Sequence, residues 1–458
     1  MIKQEIYDEV QGLQSLLQSS CRQLWKNPEL GGNEKKSSAY CRKVLEKEGF
    51  TIVNSKEMPY AFYAEYGNGS PVIAVLGEYD ALPGFSQTTS TVKESITEGA
   101  PGHACGHNLL GSAAMVGAIA IKRYLEQSKT TGTVRFYGCP EEELLCGKVK
   151  MIAEGMFDGC DVGLSWHPMD ANLSHASAYL ANASVKFYFH GVTSHAAFAP
   201  ERGRSALDAV ELTSVGCNYL REHVVDRTRI HYTTDSGGFA PNIVPDKASA
   251  WYFVRAPHIS DVKDTLKRVE RVAQGAAMMT DTTVDIEEGY GCCEFLENNA
   301  FAELSYLNMI EADGPKYTQK ELDFAKELQA SVAPAIVSGM QSTYNSNHPN
   351  MFMGVGSLEL SKKCTMSASS DTGDVSFIMP TGLFTTACWP IGCSPHTWQT
   401  ASCAGTTIGE KGALYAAKII AGTAYDLLNK PEYLQKIKKE FDERTNPDYA
   451  PMVASKKE

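Results

Sequence analysis

The chain has 458 residues, 43% of them hydrophobic, and a formal net charge of -12 from 42 basic and 54 acidic residues. This length and composition predict a globular protein of two or three domains. The acidic balance excludes the electrostatic signature of a protein that binds nucleic acid or an anionic membrane surface.

No stretch of the sequence predicts a membrane span or a secretion signal. The longest apolar run, 109–121, is shorter than the ~20 residues that cross a bilayer, and the first residues are polar. The 13 cysteines have no framework spacing, which favours a reducing compartment. We therefore expect a cytoplasmic protein that binds small molecules or further copies of itself.

The first part of the chain predicts alternating helices and strands. Apolar residues recur at helical spacing from Ile6 to Leu24, and a second helical stretch follows at 39–45. Later segments favour strands at 61–66, 72–76, 133–137 and 162–166, and helices at 108–126 and about 144–156. This alternation predicts an α/β domain with a mainly parallel sheet and helices on both faces.

From about residue 183 the pattern changes to the order β-α-β-β-α-β, which is that of a ferredoxin-like α+β unit. Its elements are the strand starting at 183, helix 204–222, strands 228–233 and 248–254, helix 261–278 and strand 282–286. We expect an inserted domain over 183–292, with 1–182 and 293–458 forming the first domain. The first domain is completed by a helix near 318–330, a strand at 384–389 and helices from about 405 to 441.

The segment GHACGHNLLG, residues 102–111, is a candidate metal site. In an extended loop Cys105 and His107 point to the same side, and Gly106 allows the backbone to turn sharply. A thiolate and an imidazole can then bind one metal ion, with His103 close by.

Other polar motifs follow predicted strands, where ligands of parallel sheets bind. GEYDALPG follows 72–76 and GCPEEE follows 133–137. The carboxylates of 141–143 are either a solvated helix N-terminus or a metal ligand beside a general base. His167 in SWHP and His396 in SPHTW are either structural histidines or ligands. The signatures HExxH, GxSxG, Walker A, GxGxxG and that of the zinc deaminases are missing.

Eight motifs, in this order, resemble the aminoacylase and glutamate-carboxypeptidase type of metallopeptidase. They are GEYDALPG, GHACGHNLLG, PEEE with a following GK, SWHP, SHAAFAPERGRSALDAV, NIVPDKA, SSDTGDVS and PIGCSPHTWQTAS, and they span about residues 60–425. Within its amidohydrolase branch, SSDTGDVS and HTWQ favour the aminobenzoyl-glutamate type over the auxin-conjugate hydrolases.

The resemblance implies a catalytic domain with two divalent metal ions per chain and a lid domain that forms a homodimer. Carried over by position, the metal ligands are Cys105, His107, Glu143, His167 and His396. Glu142 takes the place of the general base, Asp80 that of the acid that orients a ligand, and His195 that of a lid histidine reaching the partner's site. The soft thiolate favours Zn, while the carboxylate and imidazole ligands leave Mn open.

The activity that the resemblance implies is hydrolysis of the amide bond of an N-acyl amino acid such as p-aminobenzoyl-glutamate. Asn242, Arg204 and Arg255 are candidates to bind a substrate carboxylate, although surface salt bridges explain the two arginines equally well. The alternatives are a dipeptidase or aminoacylase acting on other small substrates, and a non-catalytic peptide-binding homologue, which the complete ligand set disfavours.

The sequence departs from the family pattern beside the expected base. Glu141 replaces a usual alanine, and Leu144 and Leu145 replace a usual glycine pair. The substrate range is therefore less determined than the type of reaction.

Overall fold

The computed structural model describes residues 2–175, 179–346, 348–363 and 368–454. Its α-helices are α1 (Lys3–Gly12), α2 (Gln14–Trp25), α3 (Lys35–Lys47), α4 (His107–Ser128), α5 (Gly147–Ala153), α6 (Ala206–Leu220), α7 (Ile259–Thr280), α8 (Asn299–Glu311), α9 (Gln319–Gln329), α10 (Pro334–Tyr344), α11 (Leu358–Lys363), α12 (Thr372–Ile378), α13 (Trp398–Cys403), α14 (Thr407–Asn429) and α15 (Pro431–Arg444). Within the described residues, none of these helices has the length and apolarity needed to cross a membrane.

The strands form two separate sheets. They are β1 (Thr51–Asn54), β2 (Phe62–Asn68), β3 (Val72–Glu78), β4 (Gly132–Cys139), β5 (Val162–Met169), β6 (Leu173–His175), β7 (Ala181–His190), β8 (Arg229–Ser236), β9 (Lys247–Ala256), β10 (Thr283–Cys292) and β11 (Thr381–Ala387).

The chain divides into two compact units. The first comprises Met1–Ser177, Leu296–Thr365 and Val375–Tyr449, and the second Ala178–Phe295, Met366–Asp374 and Ala450–Glu458. The second unit begins a few residues before the predicted inserted domain and ends a few residues after it. It also contains two later segments that no sequence pattern had assigned to it.

The sheet of the first unit has the order β1-β2-β4-β3-β5-β11-β6. The four strands from β4 to β11 run parallel, and the flanking strands pair antiparallel. The expected parallel sheet is thus confirmed for its central strands, whose carboxyl ends meet at one edge. The short flanking strands β1 and β6 were not predicted.

Both faces of this sheet are covered, as predicted. Along β3, Ile73 and Val75 belong to the large core that contains α4, while Ala74 and Leu76 belong to a smaller core with Met151 of α5. Neighbouring residues of a strand point to opposite faces, so the continuous apolar run of β3 is explained by burial on both sides.

The predicted helix at 144–156 is replaced by a short 3-10 turn, Glu142–Leu144, followed by α5. The break occurs because Glu141 and Leu145 have positive φ angles of 60° and 56°, which a continuous α-helix does not allow. This turn sets the directions of the side chains of the PEEE motif.

The second unit contains an antiparallel sheet of order β10-β7-β9-β8. Helices α6 and α7 pack on it, around a core that includes Phe187 and Tyr252. The chain order β7-α6-β8-β9-α7-β10 matches the predicted ferredoxin-like arrangement.

Candidate metal centre

Polar side chains converge at the carboxyl edge of the first unit's sheet. They come from the ends of the four parallel strands and from the first residue of α4 and the loop before it. The convergent residues are Glu78 and Asp80 at β3, Glu142 and Glu143 after β4, His167 near the end of β5, His396 after β11, and Cys105 and His107 at α4.

Gly106 makes the turn that brings Cys105 and His107 to this edge. Its φ is 82°, and a Cβ at this position would lie 2.8 Å from Pro168 Cγ and 3.1 Å from Trp389 Cζ3. Only glycine combines a positive φ with so close an approach at low cost. The sequence-based interpretation of Gly106 is therefore confirmed.

Two groups of possible metal ligands share one thiol. Within each of the groups Cys105–His107–His167 and Cys105–Glu143–His396, the ligand atoms lie within 4.8 Å of one another. Cys105 Sγ is 3.4 Å from His167 Nε2, and His396 Nε2 is 3.4 Å from Glu143 Oε2. The structure thus brings together all five ligands that the sequence predicts, with Cys105 placed to bridge two ions.

Two buried atoms of these groups fit a role in metal binding. Among the described residues, His107 Nε2 and Glu143 Oε1 have no hydrogen-bond partner. A buried polar atom without a partner costs about 1–3 kcal/mol. A divalent cation would satisfy both atoms, so the residues present fit a metal centre.

Asp80 orients this site. Its Oδ1 lies 2.9 Å from His107 Nδ1, and its Oδ2 accepts the Glu143 backbone N–H at 2.8 Å. Burial raises the pKa of Asp80, but the hydrogen bond with His107 and the charge of that ring lower it overall. An ionised Asp80 holds the proton on Nδ1 and leaves the Nε2 lone pair for a metal.

Burial shifts the pKa values of the other candidate ligands. It lowers the pKa of His167 to about 4, helped by the charge of His107, and raises that of Glu143 to about 7. It also raises the pKa of Cys105, as does the charge of Glu143. A neutral His167 is the form that binds metal, and a bound cation favours the thiolate of Cys105.

A buried ion pair beside the ligands was missed from sequence. Lys148 Nζ lies 2.6 Å from Glu78 Oε1, and both side chains are almost completely buried. Glu78 Oε2 is 3.4 Å from His107 Nε2. Glu78 precedes Asp80 by two residues, and this spacing was an available signal because alternate residues of a strand share a face. Lys148 has no such local signal.

The departures near the base have a structural explanation only in part. The Glu141 carboxylate pairs with Lys150 Nζ on α5 and accepts from Cys146 Sγ at 3.2 Å. Leu144 is half-exposed and Leu145 is buried. The charge that Glu141 adds is therefore balanced locally by Lys150.

His103 has a different role from its neighbours in the motif. Its buried ring lies 3.2 Å from the Leu24 carbonyl oxygen, and burial lowers its pKa to about 3. It is absent from the ligand groups found among the described residues. It is a structural histidine.

The remaining predicted residues belong to the second unit. His195 is exposed, and its Nδ1 accepts the backbone N–H groups of Ala197 and Phe198 at 3.2 and 3.1 Å. The Asn242 carbonyl accepts the Ala196 N–H at 3.0 Å, so His195 and Asn242 lie on adjacent segments.

The two arginines are engaged in other contacts. Arg204 Nε forms a 2.6 Å ion pair with exposed Asp281, and Arg255 Nη1 donates to Ser369 Oγ at 2.7 Å. The salt-bridge interpretation therefore describes Arg204 better than a substrate contact does.

Comparison with known proteins identifies the family. Residues 181–278 match the model of the peptidase dimerisation domain of M20 proteins. The chain is 38% identical to a p-aminobenzoyl-glutamate hydrolase chain of Escherichia coli K12, over 97% of this chain and 96% of that protein. The chain belongs to the M20 peptidase family.

Further similarities agree with this assignment. This M20 peptidase is 28% identical to the mouse Xaa-Arg dipeptidase, over 96% of its own length and 92% of the relative. A dinuclear metal-binding M20 peptidase from Bacillus subtilis has the same fold, with a TM-score of 0.58, 17% identity and coverage of 92% and 99% of the two chains. The protein is a metal-dependent hydrolase of amide bonds, as the motifs implied.

Proposed function

We propose that this M20 peptidase cleaves the amide bond of an N-acyl amino acid, with p-aminobenzoyl-glutamate as the first candidate. The observation that carries the proposal is the pair of ligand groups sharing Cys105, in a chain similar along its whole length to a hydrolase named for that substrate. Dipeptides are the second candidate class, because a relative of similar coverage is named an Xaa-Arg dipeptidase.

Two divalent ions would be held by the five ligands Cys105, His107, Glu143, His167 and His396. When bound, such ions supply Lewis-acid activation of water and of the scissile carbonyl group. Zn is the preferred ion because thiolate is a soft ligand, and Mn is the alternative.

Glu142 is the proposed general base. Its side chain is 9% exposed, and its Oε2 lies 3.8 Å from His107 Nε2, so it faces the ligands. A carboxylate there can accept the proton of the attacking water and deliver it to the leaving nitrogen. Asp80 positions His107 and Glu143, as its two hydrogen bonds indicate.

His195 is proposed to act in the site of a partner subunit within a homodimer formed by the dimerisation domain. Because its Nδ1 accepts two backbone N–H groups, its proton is on Nε2. An Nε2–H group is a donor suited to the oxyanion that develops on the scissile carbonyl. Asn242, on the adjacent segment, is proposed to bind the substrate carboxylate, with Arg255 and Arg204 as weaker candidates.

A cytoplasmic location is part of the proposal. The cysteines within the described residues form no disulfide, as is usual in a reducing compartment.

The test is turnover by the purified chain alone, loaded with Zn or with Mn and compared with metal-depleted protein. The substrates are p-aminobenzoyl-glutamate, N-acetyl amino acids and dipeptides with a C-terminal arginine, and the released amine is quantified. We expect metal-dependent hydrolysis of p-aminobenzoyl-glutamate. Higher kcat/KM on dipeptides would favour the second class, and binding without turnover on the whole panel would favour a non-catalytic homologue.

A further inference from the structure

A metal ion on His107 has two alternative sets of partners. His107 belongs to the group with Cys105 and His167, and also to a third group with Glu78 and Glu142, whose ligand atoms likewise lie within 4.8 Å of one another. We call these the thiolate position and the carboxylate position.

The two positions have opposite consequences for the proposed reaction. In the thiolate position the ion leaves Glu142 available to accept a proton. In the carboxylate position the ion would coordinate Glu142, and a coordinated carboxylate oxygen is a weaker base. Some feature of the site must therefore disfavour the carboxylate position.

Lys148 is placed to do this. A Cβ on Gly147 would lie 1.7 Å from the Pro140 carbonyl oxygen, so α5 starts in direct contact with the PEEE loop. This approach directs Lys148 into the interior, where its side chain is 0% exposed and its Nζ is 2.6 Å from Glu78 Oε1.

The ammonium group acts on the carboxylate position in two ways. It occupies one oxygen of Glu78 and balances the charge of that carboxylate, which is the group's second anionic ligand. It also places a positive charge beside the position, and at low dielectric like charges repel strongly. Neither effect requires Lys148 to touch substrate.

We propose that Lys148 is a positioning residue that excludes metal from the carboxylate position, directs it to Cys105 and so keeps Glu142 available as the base. The inference rests on the proposed function for the role of Glu142. Its outcome is read from the metal rather than from substrate.

The test replaces the native metal with Co²⁺, whose bond to a thiolate gives a charge-transfer absorption in the near ultraviolet. In the wild-type protein both ions contact Cys105. In Lys148→Met we expect bound cobalt to be retained while the absorption per cobalt falls to about half, because one of two ions leaves the thiolate. Turnover should fall by about 10–100-fold, as for other residues that orient ligands.

Three further variants sharpen the result. Glu78→Gln combined with Lys148→Met removes the second anionic ligand and should restore the absorption. Lys148→Gln keeps a hydrogen-bond donor for Glu78 but lacks the charge, so it should show the same loss and serves if the Met variant does not fold. Lys150→Met, on the same helix and paired with Glu141, should leave the absorption unchanged.

Full absorption per cobalt in both single Lys148 variants would overturn the proposal. So would a loss of absorption that only follows a loss of bound cobalt, since Lys148 would then be a structural support. A wild-type protein that binds cobalt without the thiolate absorption would instead contradict the ligand set of the proposed function.

Discussion

Four residues around the metal centre have a left-handed backbone conformation. Their φ angles are 82° at Gly106, 60° at Glu141, 56° at Leu145 and 62° at His396. For a residue with a side chain this conformation costs roughly 1–2 kcal/mol, and such strain is concentrated at functional sites. Here the turns direct Cys105, His107 and the PEEE carboxylates toward one edge of the sheet.

Replacing Gly106 with alanine should disturb both stability and metal binding. Gly84→Ala is the matched control, because Gly84 has a φ of 76° but open space around a new Cβ. We expect Gly84→Ala to lose roughly 1–2 kcal/mol of unfolding free energy from backbone strain and to retain metal. Gly106→Ala should lose more, through contact with Pro168, and should bind less metal. Urea unfolding and elemental analysis measure the two effects, and equal losses in both variants would contradict this.

The two carboxylates after β4 should separate catalysis from metal binding. Glu142→Gln should lower kcat by roughly 10²–10⁴-fold, the usual size of a general-base effect, and keep its metal. Glu143→Gln should lose bound metal as well. Glu141→Gln is the control and should stay active, because that carboxylate pairs with Lys150. The reverse pattern would shift the assignment by one residue.

At the scale of elements, Glu321 links α9 to α14. It forms a capping box with Thr318 at the start of α9, and it accepts from Thr407 and Lys411 of α14, each at 2.6 Å. α14 in turn packs against α4, which begins at His107. This ion pair therefore stabilises the helical layer behind the metal centre.

The Glu321 link should depend on pH. Burial alone raises the pKa of Glu321, but the hydrogen bonds from Lys411 and Thr407 lower it overall to about 2. Its stabilisation is therefore complete above the unfolded value of about 4.3 and is lost as the pH falls toward 2. Glu321→Gln should cost about 1 kcal/mol at pH 7, as loss of a cap does, and less at pH 3. Urea unfolding at both values, with exposed Glu327→Gln as control, tests this; a constant difference would contradict it.

At the scale of the whole molecule, the catalytic residues and His195 lie in different units. The unit with His195 contains the dimerisation-domain match. A site completed by the partner's His195 would make activity depend on assembly, and it would explain why a histidine remote in sequence from every metal ligand is placed with an exposed Nε2–H donor.

A mixing experiment should detect such sharing. His195→Ala and Glu142→Gln protomers are each expected to be nearly inactive as homodimers. After subunit exchange, one site of the heterodimer carries both changes and the other carries none, so activity should rise toward half of the wild-type value per heterodimer. No recovery, with exchange verified by differently tagged protomers, would place His195 in its own chain's site or outside catalysis.

The sequence determined the fold class and the identity of the metal-binding residue types. Strand and helix alternation is a local pattern, and the rule that ligands gather at the carboxyl ends of parallel strands places Cys105, His167 and the PEEE motif at one edge. It could not show the break between Glu142 and α5, because the positive φ of Leu145 arises from packing and not from its own preference.

Only the tertiary structure decided which side chains meet. The sharing of Cys105 by two ligand groups, the pairing of Glu141 with Lys150 and the buried contact of Lys148 with Glu78 depend on how α5 and the loops pack against the sheet. Interactions of this kind fall off within a few ångströms, and residues far apart in sequence come that close only after the chain has folded. The sequence specified the ligands of a metal centre, and the packing specified the charges that surround them.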